Sequence, residues 1–195
     1  MSTRGFVGFV ADGQEKVTYN HSDSYPDWLG LNVYRFVAQL MKDGAVEEAA
    51  KRVRELTVVK ESGPAPTPDQ VAALRRWANT SVSTRDLTDW YVLLRETQGN
   101  PDAILTAGYL IDGSDFPLDS LFAEWGYVID FDAKTLDVYR GFQKEPPAEG
   151  RWVGKQGREG YHPVNRIASY PFDQLPGSEA SFVDRLNRLA GYEDE

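Results

Sequence analysis

An Asp12-Gly13 pair sits between two β-prone runs, residues 6–11 and 16–21, and this dipeptide constrains the fold more than any other feature of the chain. A Gly-containing turn between two alternating segments closes a hairpin, because it supplies the positive backbone angles that a tight reversal needs. The same grammar returns at residues 126–140, G-Y-V-I-D-F-D-A-K-T-L-D-V-Y-R, where two alternating runs flank D-A-K-T. Between and after the two hairpins the apolar period changes to that of a helix. Leu29, Val33, Phe36, Val37 and Leu40 form one stripe over residues 27–41, and Val46, Ala49, Ala50, Val53 and Leu56 form another over residues 45–56. Thr67-Pro68-Asp69-Gln70 has the N-cap, first-turn proline and N3 glutamine of a helix start, and Val71, Leu74 and Trp77 follow it. A helix is also expected from about Thr84 through Leu87, Trp90, Tyr91 and Leu94 to a stop at Gly99-Asn100-Pro101, and a last one from Ser178. A short strand is expected at residues 57–60. Strands and helices do not alternate as in βαβ units. The order predicts an α+β fold: an antiparallel sheet built from two hairpins, with helices packed on one or both faces.

The 195 residues fit a single domain. Residues 62–68, with three prolines and a glycine, are the best internal linker, and residues 143–162 read as a long surface loop anchored only by Trp152 and Val153. The chain has no cysteine, which removes thiolate metal sites, cysteine nucleophiles and disulfides, and leans toward a reducing cytoplasm. No apolar run approaches a membrane span, and the N-terminus lacks a secretory signal. A net charge of −9, from 30 acidic and 21 basic residues, disfavours binding to nucleic acid. It leaves room for a basic protein partner or for mimicry of a nucleic acid's charge. No cofactor is expected: G-K-Q-G-R-E-G at residues 154–160 lacks the order of a phosphate-binding loop, and neither G-x-S-x-G nor H-E-x-x-H occurs.

Chemistry-bearing residues concentrate in residues 17–27, V-T-Y-N-H-S-D-S-Y-P-D. If the strand continues through them, His21 and Asp23 share a face, as half of an acid–base pair or two ligands of a metal. The plainer reading has Asn20, Asp23 and Ser24 capping the turn into the helix; two ligands do not make a metal site, and none is expected. Tyr19, Tyr25 and Trp28 bracket the segment, so that Tyr19, Asn20, His21, Asp23, Tyr25 and Trp28 are the candidate binding residues. Ser2 would become an N-terminal nucleophile if Met1 were removed. Asp130, Asp132 and Asp137 near Lys134 are either a two-carboxylate metal strand or, more simply, the solvent face of the second hairpin.

T-R-G-F-V-G-F (residues 3–9), D-G-Q-E-K-V-T-Y-N-H (12–21) and D-S-Y-P (23–26) resemble a family of small uncharacterised proteins of actinobacteria and their phages. Residues 127–141 are similar to segments of the same group. The resemblance covers about a quarter of the chain and brings no assigned activity or catalytic residue. It implies a cytoplasmic accessory protein, phage-encoded, that acts by binding a host protein. The alternative is a small hydrolase of amides or nucleotides, using Ser2 or the His21/Asp23 cluster.

Overall fold

The computed structural model describes residues 3–158 and 160–191. Its centre is a five-stranded sheet that contains both expected hairpins. Strands β1 (Gly5–Ala11) and β2 (Gln14–Asn20) pair antiparallel around Asp12-Gly13. The first helices are α1 (Leu31–Asp43) and α2 (Val46–Glu55), followed by the short β3 (Thr57–Val59). Next come α3 (Pro68–Leu74), α4 (Trp90–Leu93), α5 (Pro101–Ala107) and β4 (Tyr109–Ile111), which pairs parallel with β3 in a second, two-stranded sheet. The second hairpin is β5 (Trp125–Asp130) and β6 (Thr135–Arg140); β7 (Asn165–Pro171) and α6 (Glu179–Leu189) complete the fold. The main sheet has the order β2-β1-β5-β6-β7.

The α+β class and the mostly antiparallel sheet follow the expectation, with two additions. The hairpins join through a parallel pairing of β1 with β5, from Gly5↔Trp125 to Val10↔Asp130, and β7 adds an antiparallel edge beyond β6. A parallel pair needs a long crossover, and the five helices α1 to α5 all lie within it.

Strand alternation divides the side chains between two buried faces. Val7, Phe9, Tyr127, Ile129, Leu136 and Val138 point toward α1, α2 and α6, where Val33, Val37, Val53 and Phe182 meet them. Phe6, Val10, Val17, Val128 and Tyr139 point the other way, against Trp152 and Val164. The described residues of 143–162 contain no helix or strand, and they cover this second face: Trp152 is 4 % exposed and stands edge-on to Phe6 and Tyr139. Gly126 makes this packing possible, because a Cβ there would overlap the Phe6 ring.

That cover overturns the solvent-face reading of the second hairpin. Asp130 and Asp137 are buried. Asp130 pairs with Arg151 from the loop and accepts from the Asp132 and Ala133 amides, while Asp137 accepts from Ser169 Oγ at 2.5 Å and faces Arg166 at 3.6 Å. Asp132 instead ties the two hairpin turns together, accepting from the amides of Asp12 (2.9 Å) and Gly13 (2.8 Å). Those two bonds hold its carboxyl below the ordinary aspartate range.

Residues 62–67 form no regular element and Pro68 already opens α3, yet the segment is tied down: Pro66 is buried and the Pro64 carbonyl accepts from Trp90 Nε1 at 2.9 Å. Thr67 and Gln70 form the expected reciprocal capping box of α3. The helix expected from Thr84 shrinks to α4, because Asp89 caps it only from Trp90 onward. Asn100-Pro101, read as a stop, starts α5: the Asn100 side chain accepts from the Ala103 amide and Pro101 occupies the first turn.

Candidate functional site

Strand β2 ends at Asn20, so residues 21–25 turn away from the sheet. Asn20 is 6 % exposed and organises this turn, donating through Nδ2 to the Ser22 carbonyl (2.6 Å) and to Ser24 Oγ (2.8 Å). The Ser24 amide donates to the Thr3 carbonyl (3.2 Å), and Tyr127 Oη donates to the Ser24 carbonyl (3.1 Å) from the neighbouring strand. Asp23 takes a left-handed backbone, φ 55°, and its carbonyl accepts from the Leu29 amide. Pro26 then opens a π-helical turn, Pro26–Gly30, which runs into α1 with Leu29 buried below it. These bonds come from backbone or from buried side chains, and they hold the turn in shape.

The turn presents some of the six candidate residues and withdraws others. Trp28 is 63 % exposed and Tyr25 40 %, and Asp23 is exposed beside them. Asn20 is structural. Tyr19 packs edge-on against Phe116 (4.9 Å) and shares a hydrogen bond with His21 Nδ1 (3.1 Å), so both rings are half-buried. The strand does not persist to bring His21 and Asp23 to one face. Among the described residues no group of three or more His, Asp or Glu could hold a metal ion. Ser2 lies outside the described residues.

Residues far along the chain face this turn across a cavity. A cavity of about 320 Å³ is lined on the near side by Asn20, Ser22, Asp23, Trp28 and Asn32. Asn79, Val82, Arg95, Glu96 and Gln98 close its far side. Gln98 holds the two sides together: its Oε1 accepts from Arg95 and from the His21 amide (3.3 Å). Asn32 Nδ2 adds a bond to the Gly99 carbonyl (3.2 Å), and Asn79 Nδ2 donates to Glu96 Oε1 (2.6 Å). Arg95 also lies over the Tyr91 ring. Burial lowers the His21 pKa below the ordinary imidazole value, and the positive charges of Arg95 and Arg4 lower it further. His21 is therefore a neutral imidazole at neutral pH. Amide groups, one arginine and two carboxylates around a projecting indole suit recognition of a polar peptide surface.

A larger groove, of about 600 Å³, runs between α1, α2 and α5 over Phe36, Leu40, Ala49 and Leu105. Its charged rim is already engaged with itself and with α6, through Arg52–Glu48 and Arg35–Glu179. No helix among the described residues is long and apolar enough to cross a membrane. No family model, curated protein or solved structure matches this chain.

Proposed function

We propose that this protein is a cytoplasmic accessory factor, phage-encoded in origin, that works by binding a host protein through the Tyr25–Trp28 turn and the polar cavity beside it. One observation carries the reading: a tryptophan 63 % exposed on a turn fixed by buried hydrogen bonds, at the mouth of a cavity lined with amides and charges. An exposed indole gives up apolar contact with protein in the free state. It regains that contact against a partner, and a rigid turn loses little entropy on docking. The surrounding Asp23, Asn32, Asn79 and Gln98 supply the polar rim that such anchors have. The acidic balance of the chain favours a basic partner surface.

The test is capture of a partner from host lysate by wild-type protein and by variants. Trp28→Ala with Tyr25→Ala should lower capture of the specific partner at least tenfold. Val153→Ala, a control at another exposed apolar residue, should leave it unchanged. A captured set that is the same for all three proteins contradicts the reading.

A further inference from the structure

The two edges of the main sheet are finished differently. On the β2 edge, the Gly113 amide donates to the Val17 carbonyl at 2.8 Å. The backbone there is so close that a Cβ on Gly113 would lie 2.9 Å from the Tyr19 nitrogen. The segment after β4 thus covers that edge over residues 17–19. The β7 edge has one such bond, from the Arg166 amide to the Glu149 carbonyl at 3.1 Å. Beyond it, from Ile167 to Tyr170, the described residues supply no main-chain partner other than β6. Proteins usually blunt an open edge with a charge, a proline or a covering segment, and Ile167-Ala168-Ser169-Tyr170 carries none of these before Pro171.

Beside this bare stretch, β7 and α6 enclose a groove of about 410 Å³. Helix α6 contributes Arg185, Arg188 and Leu189, the last 54 % exposed. Neither arginine has a carboxylate within ion-pair distance among the described residues. Arg188 donates only to the backbone carbonyl of Asp184 (3.3 Å), and Arg185 lies close enough to Tyr170 to act on its phenol electrostatically. In a chain with 30 acidic and 21 basic residues, two guanidinium groups without an ion-pair partner among the described residues, set along an open strand, are a local reversal of sign.

We infer that β7 and α6 form a second docking site, for an extended acidic peptide strand of a partner protein. The peptide pairs with the outer side of β7 through main-chain hydrogen bonds and sets its carboxylates over Arg185 and Arg188. Charge selects this occupant over a second copy of the chain, because β7 paired with β7 about a two-fold axis would set the same arginines against each other.

Fluorescence anisotropy with a fluorescein-labelled (Glu-Val)4 peptide tests this at low salt, with (Lys-Val)4 as its counterpart. Two further (Glu-Val)4 probes are N-methylated, each at one alternate set of residues. The acidic peptide should bind saturably and the basic one should not. Arg185→Ala with Arg188→Ala, both exposed and checked for folding by circular dichroism, should weaken binding at least tenfold. One N-methylated probe should lose binding while the other retains it, since only one set of amides faces β7. The Tyr25→Ala/Trp28→Ala variant should bind the peptide as wild type does, which separates this site from the Trp28 face. No binding by the acidic peptide, indifference to the arginine exchange, or equal binding of both N-methylated probes overturns the inference. So does a dimer whose hydrogen-exchange protection at residues 167–170 disappears on dilution, since that puts a second copy on the edge.

Discussion

Lys16 and His21 lie five residues apart on one hairpin and show how position decides a polar residue's role. Lys16 projects from β2 beneath the end of α2, where its Nζ donates to the carbonyls of Val53 (2.8 Å), Arg54 (3.0 Å) and Leu56 (2.9 Å). Those are orphan carbonyls of a helix C-terminus, and one ammonium satisfies them from another element. Replacing Lys16 with Met keeps the stem and removes the donor. The expected loss is about 1–3 kcal/mol, read as a lowered denaturation midpoint with unchanged slope. His21 makes a different prediction. Its folded pKa lies below the unfolded value of about 6.5, so the folded state binds its proton less well than the unfolded chain does. The stability it confers is present above that unfolded value and is lost as pH falls through the folded pKa. With two histidines in the chain, proton NMR should resolve His21 titrating below the ordinary value. A His21→Gln variant should lack that part of the acid-side decline. Residue-scale inference from sequence reached the polar character of residues 17–27, but not which side chains face out. That depended on β2 ending at Asn20 and on Asn20 turning inward to Ser24.

Elements with local signals were legible, and those defined by distant partners were not. The Asp12-Gly13 turn, the apolar stripes of α1 and α2 and the Thr67–Gln70 capping box are short-range features, and the structure contains each of them. Asn100-Pro101 was ambiguous for a physical reason: a residue that caps the next helix also ends the pattern before it. Strand β7, N-R-I-A-S-Y-P, has no clean alternation, because it lies at an edge and is only half-covered. The long segment 143–162 was legible as irregular but not as a wall of the core. Trp152 anchors it in the ring cluster, and the adjacent Arg151 ties it to Asp130, with Glu15 at 3.7 Å. Burial pushes the Glu15 carboxyl up even against the pull of Arg151. Trp152→Ala should cost about 3–5 kcal/mol, and limited proteolysis should then cut first within residues 143–162. Cleavage that begins elsewhere, at the wild-type rate, would show that the loop does not depend on this anchor.

For the whole molecule, the parallel pairing of β1 with β5 is the organising fact. It sets the two hairpins side by side, with the long crossover on one face and the 143–162 segment on the other. The start of β1, the end of β2 and the start of β5 therefore meet at one end of the sheet. There Thr3, Ser24 and Tyr127 bond the turn that carries Trp28. The crossover returns residues 95–99 to the same place, which is how Arg95 and Gln98 come to face a turn some seventy residues earlier. No sequence periodicity encodes that meeting, which explains why half of the cavity was not foreseen. On this fixed turn Trp28 is the proposed anchor for a host protein. The most direct measurement is photo-crosslinking in host lysate, with benzoylphenylalanine placed at position 28 or, as a control, at position 153. A discrete adduct from position 28 that is absent from position 153, and is lost when Tyr25 is also replaced by Ala, is the predicted result. Identical adduct patterns from the two positions would contradict it.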